Sequence, residues 1–263
     1  MKRYITALLM LIMNSILFGN LAYSSESIED ETNTKDSIKL ITQPEISEIL
    51  EINKQGDDTL ITFTNINLKV GESGIILRDL SSYKAIVASV VVIKLEGTKA
   101  IAKVSPFTQL TQPYLPTPNM TPETGDMVIF RSFNNKAFLI APNEITYKNI
   151  TEKYDFIEFV SSDLLMGFLN SQGKHDPTPK LLPKACNEYG VGLLFIVGSK
   201  DIGIFSCQNV ARIAKYKNTL TDTTTKSPFY TRTNFEGGGS LTYSLSSKKS
   251  KDYFLYYDEF LKD

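Results

Sequence analysis

Between residues 59 and 132 the apolar side chains come in short runs that alternate with polar ones, and a period of two confines this part of the chain to β structure. Ile61 and Phe63, then Ile66, Leu68 and Val70, alternate with Thr62, Thr64, Asn67 and Lys69, with a slip of phase at Asn65 that suits a bulge. Residues 71–74 make a turn before Ile75, Ile76 and Leu77. Residues 85–95 are rich in β-branched side chains, stop before Gly97 and are answered by residues 99–104, which is a hairpin pattern. Pro106, Pro113, Pro116, Pro118 and Pro122 forbid regular structure over 106–122, and one more strand follows at Met127 to Arg131. Short, closely connected strands of this kind close into a small barrel, because an open sheet would leave unpaired edges.

The period changes after Asn134. A short apolar strand at 137–141 is followed by Pro142 and Asn143 as stop and cap, and residues 144–153 suit a helix. A strand at 155–160 and a helix at 163–170 come next, with Ser161 or Ser162 as its cap and Asp163 in its first turn. Residues 171–183 read as a loop, 191–197 and 201–206 as a hairpin across Gly198-Ser199-Lys200, and 208–216 as a closing helix. The fold class expected is α+β: a β-barrel-like domain over 59–133, then a compact α/β domain over 134–216. Residues 217–227 are a Thr-rich linker, and 230–245 hold a weak hairpin pattern across Glu236 to Ser240. In the last segment Tyr253, Tyr256, Tyr257, Phe260 and Leu261 fall on one side of a helix. Such a stripe buries itself either on its own domain or on a partner, for which aromatic anchors are suited.

The N-terminus sets the compartment. Lys2 and Arg3 precede a largely apolar run over 4–19, and Ala22-Tyr23-Ser24 offers small residues at a cleavage site, so residues 1–24 read as a signal peptide. The alternative, an uncleaved anchor, needs about 20 apolar residues. No later run is long enough to span a bilayer. Residues 25–36 are a polar, acidic lead-in within an N-terminal extension over 25–58, whose residues 37–52 suit a strand followed by either a further strand or a helical turn. The 28 Lys and Arg against 29 Asp and Glu exclude the broad basic field of a nucleic-acid binder. Cleavage removes Lys2 and Arg3 and no acid, leaving a mature charge of −3. The expected product is exported, periplasmic or at the cell surface.

Export turns two cysteines into an expected disulfide, Cys186 to Cys207, worth about 3 kcal/mol for a loop of this length, with two buried thiols as the alternative. No catalytic or metal residues and no cofactor are assigned. Gly71-Glu72-Ser73-Gly74 lacks the spacing of a nucleophile elbow. Gly190-Val191-Gly192 has Phe195 where a dinucleotide loop needs its third glycine. His175, the single histidine, stands in a Gly, Lys, Asp and Pro loop and reads as solvent-facing, with Asp176 able to orient its ring. Asp57, Asp58 and Asp163 have no acid or base partner legible in the sequence.

Leu115 to Met120, Arg131 to Asn143, Ser161 to Leu165, Lys184 to Asn187 and Ser206-Cys207, in this order, resemble the N-terminal domain family of the bacterial plasminogen-binding proteins PgbA and PgbB. The resemblance covers residues 59–210 and implies a non-enzymatic protein acting through protein–protein contacts, with host plasminogen captured through lysines. Recognition of that kind favours a C-terminal lysine, whereas here Lys262 is penultimate and Asp263 terminal. Lys248, Lys249, Lys251 and Lys262 are then the candidate plasminogen lysines. The resemblance also implies a second class of partner, the envelope proteins of a polar flagellar motor disk. A scaffold subunit of that kind would dock by Tyr253, Tyr256, Tyr257, Phe260 and Leu261.

Overall fold

The computed structural model describes residues 33–109, 120–233 and 248–262. The signal peptide over 1–24, most of the proline-rich stretch, the hairpin turn at Glu236 to Ser240 and Asp263 lie outside the described residues. A helix, α1, occupies 33–42, in part of the stretch read as lead-in and strand. It belongs to a unit ending at Ile41, and Thr42–Asp263 form a second compact unit.

Six antiparallel strands of that second unit close into a barrel: β1 (Glu45–Gln55), β2 (Asp58–Thr64), β3 (Ser73–Asp79), β4 (Lys84–Glu96), β5 (Lys99–Ser105) and β6 (Met127–Phe130), in the order β1-β2-β5-β4-β3-β6. The closing strand is β1, from residues the sequence reading placed in the extension. Its pattern is masked by a register shift between Ile49 and Glu51, which turns Ile49 inward and leaves Ile46 and Leu50 on the outside. Alternate residues fill the barrel. Phe63 and Phe130 stack at 4.9 Å in a core that also holds the small Ala88, Ala100 and Ala102, so large and small side chains share the interior. The phase slip at Asn65 is a strand end rather than a bulge: Asn65 Oδ1 accepts from Leu68 N–H, and Asn67 takes φ 59.

The second sheet has the order β11-β10-β9-β7-β8. Its strands are β7 (Lys136–Ile140), β8 (Glu158–Val160), β9 (Leu193–Val197), β10 (Asp201–Ser206) and β11 (Ala211–Lys217), with β8 and β9 parallel to β7 and the β9–β10–β11 meander antiparallel. Helix α2 (Glu144–Lys153) starts at Asn143, whose Oδ1 accepts from Thr146 N–H at 2.8 Å, and α3 (Ser162–Ser171) starts at Ser161. Strand β9 is buried at every residue, which is why its sequence is a continuous apolar run.

Two further elements differ from the sequence reading. The expected closing helix over 208–216 is strand β11, which pairs antiparallel with β10 from Ala211 to Lys217 and so extends the sheet. The expected loop over 171–183 gives way at its end to α4 (Leu182–Tyr189), with Pro183 in its first turn and Gly190 as left-handed cap. Helix α5 (Tyr253–Leu261) follows a 3-10 turn at Lys249–Lys251 and lies on the β9–β10 hairpin, where a Cβ on Gly198 or Gly203 would meet Leu261.

Candidate functional site

The barrel and the second sheet meet along β3 and the turn after β10. Ser73 Oγ donates to Gln208 Oε1 at 2.8 Å, Asn209 Nδ2 to the Gly71 carbonyl at 2.9 Å and Lys69 Nζ to the Ile213 carbonyl at 2.9 Å. Gly71 permits the approach: a Cβ there would lie 2.4 Å from the Ala211 Cβ. Beside this seam Arg131, in the left-handed region at φ 60, forms a buried ion pair with Glu72, Nη2 to Oε2 3.0 Å, and donates to the Asn67 carbonyl. Burial pushes the Glu72 carboxyl above its usual range against the opposing pull of the Arg131 guanidinium. The pair shapes the turn from β6 to β7. Gly192, whose Cβ would meet Phe133 backbone at 2.3 Å, lets that turn sit against β9.

A cleft of about 120 Å³ opens at this seam, lined by Ser73, Ser89, Ser105, Gln109, Phe133 and Asn187 among others, none of them charged. Residues from the stretches 131–143 and 184–187, separated in sequence, come together here, with Gln208 immediately after Cys207. The cysteines themselves are joined, Cys186 on α4 to Cys207 after β10, with Cα atoms 5.8 Å apart, so the disulfide fixes one wall of the cleft to the other sheet element. This is the pairing expected.

The single histidine is not solvent-facing. His175, Asp176 and Ser250 are 5%, 7% and 0% exposed. His175 Nδ1 lies 2.8 Å from Asp176 Oδ1, and Ser250 Oγ donates to that same Oδ1 at 2.6 Å while lying 3.4 Å from His175 Nδ1. These are the residue types of a hydrolase triad in a different geometry. A triad places the serine and the carboxylate on opposite ring nitrogens so that the imidazole takes the serine proton. Here both partners meet one nitrogen, the serine gives its hydrogen bond to the carboxylate directly, and its oxygen is closed to substrate. The cluster is a clamp: Lys249 N–H also donates to Asp176 Oδ2 at 2.7 Å. Burial pushes the Asp176 carboxyl up, and the hydrogen bonds from His175, Ser250 and Lys249 outweigh it and hold it below the usual range. No sequence signal places Ser250, 74 residues away from Asp176, in this group.

The clamp presents lysines. Ser250 points inward and Lys248, Lys249 and Lys251 are exposed around it; Lys262 is exposed at the far end of α5 and pairs with Glu259. The aromatic stripe is covered by the chain itself. Tyr253, Tyr257 and Leu261 are buried in the core of the second sheet, and Tyr256 and Phe260 pack partly buried against it. The Tyr253 hydroxyl sits between the carbonyls of Ile140 and Val197, at 3.0 and 2.9 Å, and the Tyr257 hydroxyl donates to the Pro228 carbonyl at 2.8 Å. Burial raises both phenols well above 10 and pushes Tyr256 up to about 12. Of the two fates open to the stripe, packing on the chain's own core is realised for Tyr253, Tyr257 and Leu261, while Tyr256 and Phe260 keep part of their surface exposed. Asp163 likewise serves structure, accepting from Thr233 N–H and Arg232 Nε. Among the described residues no group of three or more His, Cys, Asp or Glu is placed to hold a metal ion, and no helix is long and apolar enough to cross a membrane.

Residues 46–261 match the family described as the N-terminal region of plasminogen-binding protein pgbA. Two plasminogen-binding proteins PgbA of Helicobacter pylori, from strains J99 and 26695, are 42% and 41% identical to the chain over 204 residues, 77% of its length. The chain spans 45% and 44% of those relatives. No solved structure matches it. The chain belongs to the PgbA N-terminal family.

Proposed function

We propose that this member of the PgbA N-terminal family is an exported, non-enzymatic binding protein that captures host plasminogen through lysines. The supporting observation is the Asp176 clamp, which holds the 3-10 turn from below and leaves Lys248, Lys249 and Lys251 outward on a fixed backbone. Fixing the backbone lowers the ordering cost that a lysine on a mobile tail incurs on binding. Lys262, on the other end of α5, is a separate candidate. The buried, wrongly placed Ser250 supports the absence of hydrolytic chemistry, and the signal-peptide pattern read over 1–24 supports export to the periplasm or the cell surface.

Binding of residues 25–263 to immobilised plasminogen, with and without a lysine analogue, tests this reading. Competed binding that falls in the K248A/K249A/K251A triple variant is the expected result. Binding indifferent to the analogue and to the triple variant overturns it. No plasminogen binding, with co-purification of flagellar motor or other envelope proteins from a polarly flagellated bacterium, would favour the scaffold reading.

A further inference from the structure

We propose that the cleft between the barrel and the second sheet is a binding site for one unit of a neutral saccharide. Three observations define what fits. Gln109 is 5% exposed, and its Oε1 has no hydrogen-bond partner among the described residues, so a ligand there would supply an O–H or N–H. Ser89 and Ser105 are register partners on β4 and β5 and both line the cleft; each hydroxyl can donate and accept. Asn187, on α4, adds an amide from the opposite wall, already steered by its contact with Thr108 at 3.3 Å.

Charge and shape narrow the class. A cleft with no charged residue among its described lining offers nothing to repay the desolvation of a carboxylate, phosphate or ammonium. An extended peptide would need a free strand edge, and β3, β4 and β5 are each paired on both sides in the closed barrel. About 120 Å³ is below the roughly 300–1,000 Å³ of pockets for drug-sized ligands and suits a single ring. A pyranose brings hydroxyls that donate and accept around its rim and an apolar C–H face for Phe133. The walls are rigid, since Glu72–Arg131 sets the β6–β7 turn and Cys186–Cys207 ties α4 to β10. Pre-organised walls raise affinity by removing the ordering cost.

Saturation-transfer NMR and calorimetric titration of the full chain with glucose, N-acetylglucosamine and chitobiose test the site, with N-acetylglycine N-methylamide as an uncharged amide counter-probe. The expected result is millimolar or tighter binding of at least one saccharide, weakened about tenfold by Gln109→Leu, which removes the buried acceptor for one of the ligand's hydrogens. Ser105→Ala, on an exposed strand end where folding is not at stake, weakens it as well. The triple lysine variant binds the sugar unchanged, which separates this site from plasminogen capture. Failure of all three saccharides to bind, binding unaltered in both cleft variants, or binding of the amide alone overturns the proposal.

Discussion

Asp176 shows what one buried carboxylate contributes here. Its folded-state value lies below the ordinary one, so its contribution is fully present above about 3.9 and is lost as pH falls through the lower folded value. Asp176→Asn should cost about 1.5–3 kcal/mol at pH 7, because charge-assisted hydrogen bonds from Ser250, Lys249 and His175 become neutral ones. Urea unfolding at pH 7 and in acid checks it: the gap between wild type and variant closes at low pH. Arg131 makes the opposite case. The Glu72 carboxyl is pushed up by burial, so the pair gains little over water, yet breaking it strands a buried charge. Arg131→Met should destabilise by about 3–5 kcal/mol, and the Glu72→Met/Arg131→Met double variant should recover part of that loss. A double-mutant cycle by chemical unfolding measures both.

At the scale of elements, α5 is core. Tyr257→Ala removes a fully buried ring and should cost about 3–5 kcal/mol, whereas Leu255→Ala, at a position 68% exposed, should leave thermal stability unchanged. Deleting residues 249–263 should therefore unfold the second sheet rather than release a partner from an intact protein, as circular dichroism would show. The disulfide joins α4 to the end of β10, and its double replacement by alanine should lower stability by about 3 kcal/mol, seen as a lower urea midpoint under non-reducing conditions. The Cys pair was legible because export and an even count leave few other uses for two cysteines. Helix α4 was not, since eight residues carry barely two turns of periodicity; Pro183 and Gly190 were its only marks. Strand β11 reads as a helix in sequence because Val210 and Ile213, three residues apart, have helical spacing, and its pairing with β10 is not a local signal.

For the whole molecule, the seam decides whether barrel and sheet behave as one. Ser73 to Gln208, Asn209 to Gly71 and Lys69 to Ile213 cross it, and Gly71 packs against Ala211 with no room for a side chain. Differential scanning calorimetry should show a single transition with calorimetric and van't Hoff enthalpies in agreement. Two separated transitions would mean that the barrel and the sheet fold independently and that the cleft between them is not a fixed site.

Composition and local pattern by themselves determined the class of structure: strands of period two that must close, a change to mixed α/β after Asn134, caps at Asn143 and at Ser161 or Ser162, and a cysteine pair expected to join. These are properties of neighbours in sequence, and neighbours carry them. Tertiary structure alone decided the rest. It chose β1 to close the barrel, turned the tyrosine stripe inward, buried the only histidine with Asp176 and Ser250, and assembled a neutral cleft from β4, β5, α4 and the turn after β6. Each of these joins residues tens of positions apart, and no local period records which distant groups will satisfy a buried polar atom or cover an apolar face.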